Sequence, residues 1–147
     1  MKYSVQVLIS TMNQTQETVV ELIDKMNVAS DVVVGNQCGS NEIWEFDKNG
    51  YRVKVISSSE RGLSKNRNNE LKEAWADICV IADDDMCFEP SYVDTLVDLY
   101  CKFENADLII FNIGEQKPIR YITKKVKKLN TVSCLRYSGA RITFKRT

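Results

Sequence analysis

The sequence predicts an α/β protein, a three-layer α/β/α sandwich built around a mostly parallel sheet. Short strand-like runs alternate along the chain with segments whose apolar residues recur at helical spacing. Two of the runs, DVVVG at 31–35 and DICVIA at 77–82, are continuous rather than alternating. Continuous apolar runs of this length are typical of strands that are buried on both faces of a parallel sheet.

The first predicted elements are a strand, a helix and a strand. Apolar and polar residues alternate over residues 3–10, which predicts a strand. Residues 14–26 carry apolar side chains at the spacing of one helical face, and either Thr15 or Asn13 could cap this helix. The run at 31–35 then gives the second strand.

The next predicted elements are a strand, a helix and a strand between residues 51 and 82. Residues 51–57 alternate and predict a strand. Residues 62–76 predict a helix that is entered through Gly62 and capped by Ser64. The apolar residues at near-helical spacing in this segment are Leu63, Leu71, Ala74 and Trp75. The run at 77–82 gives the following strand.

A helix and a strand complete the predicted core. Residues 89–103 place apolar side chains on one helical face, with Pro90 in the first turn, where proline is tolerated. Residues 107–113 predict a fifth strand. The pattern then changes, because residues 118–130 and 132–146 show strand-like alternation and no helical stripe.

Length, composition and charge predict one domain with two unlike parts. The 147 residues form an α/β core over 1–113 and a basic, strand-rich tail over 114–147. The apolar share of 44% and the charged share of 27% are those of an ordinary soluble globular protein. The core holds 10 Lys and Arg against 19 Asp and Glu, whereas the tail holds 10 against 1. This split indicates that the tail docks onto the acidic core or binds an acidic partner.

Several classes of function are excluded by composition. The chain contains no His, which rules out Ser-His-Asp and Cys-His catalysis and disfavours a zinc site. The five Cys form no CxxC pair, so we expect reduced thiols. No apolar run approaches the roughly 20 residues of a membrane span, and the N-terminal segment shows no signal-peptide cleavage site. We therefore expect a cytoplasmic protein whose catalysis uses carboxylates, lysines or a bound metal.

Polar residues follow four of the predicted strands and should meet at one edge of the sheet. They are STMN (10–13), GNQCGS (35–40), SSSERGLSKNRN (57–68) and DDDM (83–86). Ligands of open parallel sheets bind outside the carboxyl ends of the strands. This edge combines backbone amides, positive side chains and carboxylates, which is the mixture that a diphosphate bridged to Mg²⁺ or Mn²⁺ requires.

The acidic triplet Asp83, Asp84 and Asp85 is the candidate metal site. If the side chains alternate, Asp83 and Asp85 face one way and Asp84 faces the other. Acidic triplets are also common as solvated loops, and the triplet alone does not decide between a metal site and such a loop. Its position at the end of a buried strand favours the metal.

These residues, in this order, resemble the family 2 glycosyltransferases, which have the GT-A nucleotide-binding fold. LISTMN is similar to the TYN-like turn after the first strand of that family, and VVVGNQCGS is loosely similar to its DDGS-like turn. RGLSKNRNNELKEAWAD resembles its ARN-like helix start, and ICVIADDDM resembles its DxD motif. Four motifs in the correct order over residues 3–86 are much more specific than any one of them.

The resemblance implies binding of a nucleotide-diphosphate sugar, with a UDP-sugar as the first expectation, through Mn²⁺ or Mg²⁺. The sugar would be transferred with inversion to a hydroxyl of a glycan or lipid-linked acceptor, while the metal neutralises the departing nucleoside diphosphate. Asp83 and Asp85 would bind the metal. The nucleotide-binding residues implied by the resemblance are Thr11, Asn13, Asn36, Gln37, Gly62, Lys65, Arg67, Asp83 and Asp84.

The sequence departs from the family pattern in two places. Asn36, Gln37 and Cys38 stand where the family usually has acidic residues that read the base. No acidic residue follows Glu115, so the carboxylate base that the family carries in a later segment has no candidate here. The resemblance therefore implies an enzyme truncated to its nucleotide-sugar-binding part. The alternative is a non-catalytic nucleotide-sugar-binding module.

Plainer interpretations remain open for some of these residues. Lys65 and Arg67 could be solvated, although cations at a helix N-terminus oppose the helix dipole and so favour a nearby anion. The basic run at 124–128 could contact phosphates, acidic lipids at the inner face of a membrane, or nucleic acid. Lysines that guard a solvated edge strand are the commoner explanation, and we expect no nucleic-acid partner.

A phosphoacceptor signalling domain that uses the aspartates with Mg²⁺ is the last alternative. Such a domain would need acidic residues at the end of the first strand. The first strand ends in STMN instead, so this interpretation ranks below the other two.

Overall fold

The computed structural model describes residues 3–112, 114, 125–130, 133, 137 and 139–146. Within them, seven strands form one sheet in the order β3-β4-β2-β1-β5-β7-β6. The strands are β1 (Val5–Met12), β2 (Asp31–Gln37), β3 (Glu42–Lys48), β4 (Tyr51–Ser58), β5 (Ile78–Asp83), β6 (Leu108–Ile110) and β7 (Ile142–Lys145). The helices of this part of the chain are α1 (Gln16–Lys25), α2 (Leu63–Lys72), α3 (Tyr92–Lys102) and a 3₁₀ turn at Gly139–Arg141.

The centre of the sheet is parallel and its margins are antiparallel. Strands β4, β2, β1 and β5 run in the same direction. Strand β3 pairs antiparallel with β4, and β7 pairs antiparallel with both β5 and β6. The mostly parallel sheet predicted from the sequence is confirmed.

Helices cover both faces of the sheet, which confirms the three-layer architecture. Alternate residues of the central strands form a large apolar cluster with α1 and α3, through side chains such as Val19 and Ile23 on α1 and Leu96 and Tyr100 on α3. The opposite face carries a smaller cluster beside α2, which consists of Leu8, Val33, Ile56, Ala74 and Cys79. Because side chains alternate along a strand, successive residues of the central strands pack against opposite helical layers.

Strand β3 was not predicted from the sequence. It is an edge strand of mixed charged and apolar residues, of which Trp44, Phe46 and Lys48 are partly buried and the two aromatic rings are stacked. The turn that joins it to β4 contains Asn49 and Gly50, both with positive φ. Asn-Gly between two alternating segments is a strong hairpin signal, and the prediction overlooked it.

The helix starts differ from the predictions in two of three cases. Thr15 caps α1 as one of its two predicted candidates, and its side chain accepts a hydrogen bond from the Thr18 amide. Helix α2 begins instead after Gly62, without a side-chain cap, so the prediction of Ser64 as the cap was wrong. Helix α3 begins at Tyr92, so Pro90 lies before the first turn rather than in it.

The face that α2 buries is polar, which contradicts the first half of the predicted apolar stripe, whereas Ala74 and Trp75, beyond the end of the helix, pack in the smaller apolar cluster. Leu63 and Leu71 are exposed, whereas the fully buried side chains of the helix are Asn66 and Glu70. The reason is the place where the helix crosses the sheet. It lies over the ends of the strands, where backbone carbonyls and a hydroxyl require hydrogen-bond partners rather than apolar contact.

Three polar contacts fix α2 to three neighbouring parallel strands. They join Asn66 to the Gly35 carbonyl of β2, Glu70 to the Ser10 hydroxyl of β1, and Arg67 to the Asp83 carboxylate of β5, each at 2.7 Å. The position of this helix is therefore determined by hydrogen bonds and an ion pair more than by apolar packing.

Part of the basic tail docks onto the core. Strand β7 lies between β5 and β6. The Arg146 side chain donates to the carbonyls of Trp75 and Ala76, and Lys145 Nζ donates to the carbonyl of Glu104 at 2.7 Å. This docking fits one of the two explanations for the charge split.

The rest of the predicted tail is only partly described. Residues 118–124 of the first predicted tail segment lie outside the described residues, and residues 125–130 are irregular rather than strand. Within the second segment, β7 is strand as predicted. No helix among the described residues is long and apolar enough to cross a membrane.

Gly35 allows the close approach of α2 to the sheet. A Cβ atom at this position would overlap Glu70 Oε1 and would lie 2.7 Å from Asn66 Oδ1. Both side chains are buried and hydrogen-bonded to the strands, so neither is free to move away. Substitution would therefore force α2 outward.

We predict that Gly35→Ala lowers the free energy of unfolding by about 1–3 kcal/mol, because the added methyl displaces two bonded side chains. Urea denaturation followed by circular dichroism measures this change. Gly39→Ala is the matched control, since a Cβ at Gly39 meets nothing within 4 Å. Equal stability of the two variants would contradict the close approach described here.

Candidate functional site

The carboxyl ends of the parallel strands meet at one edge, as predicted. The register places Ser10 of β1 level with Gly35 on one side and Asp83 on the other. This row faces α2. The next row contains Thr11 and Asn36, which are level with each other and belong to the face covered by α1 and α3.

Asp83 forms an ion pair with Arg67 across the α2 face. The Arg67 Nη2 atom donates to Asp83 Oδ1 at 2.7 Å. The two side chains are 21% and 42% exposed, so the pair is open to solvent and to a ligand. Arg67 Nε is buried without a partner. The pair brings one cation and one carboxylate to the edge.

Asp84 turns to the other face, where it accepts a hydrogen bond from Thr11. The Thr11 Oγ1 to Asp84 Oδ2 distance is 2.7 Å, and Gln14 Nε2 donates to the same Thr11 oxygen at 3.1 Å. Thr11 is buried. Asp83 and Asp84 thus contact opposite layers, which agrees with the predicted alternation.

Asp85 is the exposed member of the triplet, and its side chain has no partner among the described residues. No group of three or more His, Cys, Asp or Glu is arranged to hold a metal in the described part of the chain. Mg²⁺ is usually bound by one or two carboxylates together with substrate phosphates and water, so a site completed by a ligand fits these residues. The assignment of Asp83 and Asp85 as metal ligands stays a prediction.

Asn36 is held entirely by the protein. Its Oδ1 accepts from the Gln14 amide, and its Nδ2 donates to the Gln14 carbonyl and to the Ser57 hydroxyl, at 2.9–3.2 Å. The side chain is 1% exposed. Its observed role is to fix the turn between β1 and α1. Contact of Asn36 with a nucleotide stays a prediction.

A cavity of about 220 Å³ opens beside these turns and is lined by Met12, Asn13, Gln37, Cys38 and Arg61. Gln37 Oε1 accepts from the Gly62 amide at 2.8 Å, which leaves its Nε2 group without a partner among the described residues. Asn13 has φ near 54°, a left-handed conformation that asparagine tolerates well. Two predicted residues, Asn13 and Gln37, therefore share one cavity.

Arg61 and Met12 also line this cavity, and neither was predicted from the sequence as a site residue. Arg61 is exposed, and no carboxylate belongs to the lining. The sequence did indicate Arg61, because it directly precedes Gly62 in the segment ERGLSKNR. Gly62 has φ of 127°, which favours glycine, and it carries the chain from the cavity into α2.

Lys65 lies in the first turn of α2, on the solvent side. Its nearest acidic partner is Glu60, at 3.9 Å, and both side chains are more than half exposed. Such a pair contributes little to stability. Lys65 is therefore free to contact a ligand, and its predicted role in nucleotide binding stays a prediction.

The Cys38 thiol lies 3.3 Å from the Ser40 hydroxyl, and this hydrogen bond lowers the pKa of Cys38. Ser40 lies only two residues further along the chain, so its effect was accessible from the sequence. A hydroxyl in a turn can lower the pKa of a neighbouring thiol by stabilising the thiolate.

Glu70 lies on the buried face of α2, behind the site, and its pKa is shifted. It was not among the residues predicted from the sequence. Burial raises the pKa of Glu70 to about 8, with a smaller opposing effect from its hydrogen bond with Ser10. Its side chain is 1% exposed. A glutamate inside a predicted helix gives no sequence signal of such burial.

The sequence profile of glycosyl transferase family 2 matches residues 7–141. The chain belongs to this family. The match includes every residue selected from the motifs, from Thr11 to Asp85. The family assignment made from those motifs is therefore confirmed.

Solved structures give the same fold. The crystal structure of S. aureus TarS 1-349 is similar with a TM-score of 0.70 and 15% sequence identity, over 97% of this chain and 47% of that one. The structure of S. aureus TarS 1-349 in complex with UDP-GlcNAc is similar with a TM-score of 0.65 and 17% identity, over 97% and 45%. The GT-A fold is confirmed, and this chain spans about half the length of those chains. No curated protein matches it in sequence.

We predict that Asn36→Asp lowers the free energy of unfolding by about 2–3 kcal/mol at neutral pH, because the buried carboxylate cannot donate to the Gln14 carbonyl. Thermal denaturation measures the loss. Asn68→Asp, on the exposed side of α2, makes the same chemical change and should alter stability by no more than about 0.5 kcal/mol. A loss no greater than that of the control would show that the Asn36 contacts do not matter.

Proposed function

We propose that this chain binds a nucleotide-diphosphate sugar, with a UDP-sugar as the first candidate, and forms the donor-binding part of an inverting glycosyltransferase. Family membership supports the general class. The observation that carries the proposal is the arrangement at the edge of the sheet. The cavity lined by Gln37 and Arg61, the Arg67–Asp83 ion pair and the exposed Asp85 all lie at this edge.

The cavity is the proposed place of the base and ribose. Gln37 Nε2 and the exposed Asn13 side chain offer polar groups to a base edge. The Arg61 side chain adds a positive charge without a carboxylate beside it in the lining. The volume of about 220 Å³ suits the nucleoside part of a donor rather than the whole molecule.

The diphosphate would lie between the start of α2 and the acidic triplet. Lys65 and Arg67 would face its oxygens from the helix, whose N-terminal dipole also favours an anion. Asp85 and Asp83 are the proposed ligands of Mg²⁺ or Mn²⁺. Such a metal would neutralise charge on the nucleoside diphosphate as it leaves the sugar.

The proposal also includes the acceptor side of the reaction. Inverting transfer needs a general base close to the acceptor hydroxyl, and residues 116–147 contain no Asp or Glu. A glycan or lipid-linked acceptor, and contact of the basic run at 124–128 with a membrane surface, are proposals that rest on the family and on charge alone.

The same observation favours a second candidate, a module that binds the nucleotide sugar without turnover. The two candidates differ in product formation rather than in affinity. Incubation of the chain with a UDP-sugar and a glycan acceptor, followed by chromatography for released UDP and glycosylated acceptor, separates them. Release in proportion to enzyme concentration supports transfer or hydrolysis, and tight binding without release supports the module.

We predict that UDP binds in the presence of Mn²⁺ and that Asp85→Asn weakens this binding at least tenfold, because the variant removes the unpaired carboxylate. Isothermal titration calorimetry with UDP, GDP and UDP-sugars, with and without the metal, is the measurement. Asp98→Asn, on the exposed side of α3, is the matched control and should leave the affinity unchanged.

Two results would count against the proposal. Absence of binding by every nucleotide, in protein shown to be folded, would remove the donor site altogether. Binding that is equal with and without Mn²⁺ and equal in Asp85→Asn would leave a nucleotide site but would reject the metal assignment.

A further inference from the structure

Glu70 is a buried carboxyl group that the proposed function does not use. Ser10 Oγ donates to its Oε1 atom at 2.7 Å. Its other oxygen, Oε2, is buried without a hydrogen-bond partner. An ionised carboxylate in this position would leave a buried charge with one oxygen unpaired, which is costly.

Asn66, one turn earlier on α2, has the complementary deficiency. Its Nδ2 donates to the Gly35 carbonyl at 2.7 Å, and its Oδ1 is buried without a partner. The orientation of the amide is fixed by chemistry, because a carbonyl oxygen can only accept. Asn66 Oδ1 therefore needs a donor from elsewhere.

The two unpaired acceptors belong to side chains that meet over the same residue. Asn66 and Glu70 are four residues apart, so they are neighbours on one helical face. Both reach the space above Gly35, where a Cβ would contact Glu70 Oε1 and Asn66 Oδ1. The oxygen that approaches this space, Oε1, already accepts from Ser10, so a hydrogen atom on Glu70 would be carried by the unpaired Oε2. There it would remove the charge and offer Asn66 a donor.

We propose that Glu70 is a neutral carboxylic acid whose Oε2–H donates to Asn66 Oδ1, and that this proton holds α2, and Arg67 with it, in the position that binds the nucleotide. Glu70 is thus a positioning residue. The effect on nucleotide binding rests on the proposed function, whereas the protonation of Glu70 does not.

The electrostatic surroundings agree with this arrangement. Burial raises the pKa of Glu70 to about 8, Arg67 on α2 lowers it and Asp83 on β5 raises it. Ser10 on β1 and Gly35 on β2 bring no charge. The folded state therefore holds a proton at neutral pH that the unfolded state releases, so this group's contribution to stability falls as the pH rises from about 4.5 to about 8.

Infrared spectroscopy of the full chain tests the protonation directly. At about pH 6.5 the wild type should show a protonated carboxyl band that Glu70→Gln lacks, and the band should disappear by about pH 9.5. Glu21→Gln, on the exposed side of α1, should leave the band unchanged. A wild-type spectrum identical to that of Glu70→Gln at about pH 6.5 would overturn the proposal.

Titration of UDP with Mn²⁺ at several pH values tests the positioning role. Wild-type affinity should fall about tenfold between pH 7 and pH 9 as Glu70 ionises. Glu70→Gln should bind as the wild type does at neutral pH and keep its affinity at high pH, because its amide can accept from Ser10 and donate to Asn66. Glu70→Ala should bind weakly at both.

The outcomes separate the two claims. A parallel loss of affinity in wild type and Glu70→Gln would overturn the positioning role, since the loss would have another origin. Absence of UDP binding at every pH would reject the proposed function and the positioning role together, while the infrared result would still decide the protonation. If Glu70→Ala does not fold, the glutamine variant alone decides.

Discussion

The position of helix α2 determines the geometry of the whole candidate site. Its three polar contacts reach three adjacent parallel strands at one level of the sheet, through Gly35, Ser10 and Asp83. Hydrogen bonds are directional, so this attachment fixes the rotation of the helix more narrowly than an apolar face would. The direction of Arg67, the position of Gly62 and the mouth of the cavity follow from that rotation. Each buried polar group without a partner weakens an attachment of this kind, which is why the proposed proton on Glu70 matters there.

The sequence predicted the layers better than it predicted the surfaces between them. Continuous runs such as 31–35 and 77–82 identified the central strands, because they are too short for helices and are rich in β-branched residues. Periodicity failed for α2, since its exposed leucines have the spacing of a buried stripe and its buried residues are polar. Tertiary position overrode the local pattern there. Strand β3 was missed for another reason, because its hairpin signal at Asn49 and Gly50 is present in the sequence and was overlooked.

For the candidate site, too, the general position was predictable from the sequence and the individual contacts were not. The four motifs located the correct edge of the sheet, because parallel strands end together and ligands bind there. Individual side chains were less predictable. The Asn36 side chain bonds within an internal turn, and Arg61 lines the cavity although it was not selected. The burial of Glu70 depends on Gly35, which lies 35 residues earlier in the chain. Contacts between residues far apart in sequence leave no periodic signal, so only the fold reveals them.

Strand β7 gives this protein a long-range folding requirement. Residues 142–145 pair with both β5 and β6, so β6 joins the sheet only through a segment that is synthesised well after it. Until then, β5 has an open edge with unpaired amide and carbonyl groups, and open edges are sites of aggregation. Contacts of such large sequence separation slow folding. While the β7 segment is unpaired, the edge of β5 is therefore a place where another chain can add a strand.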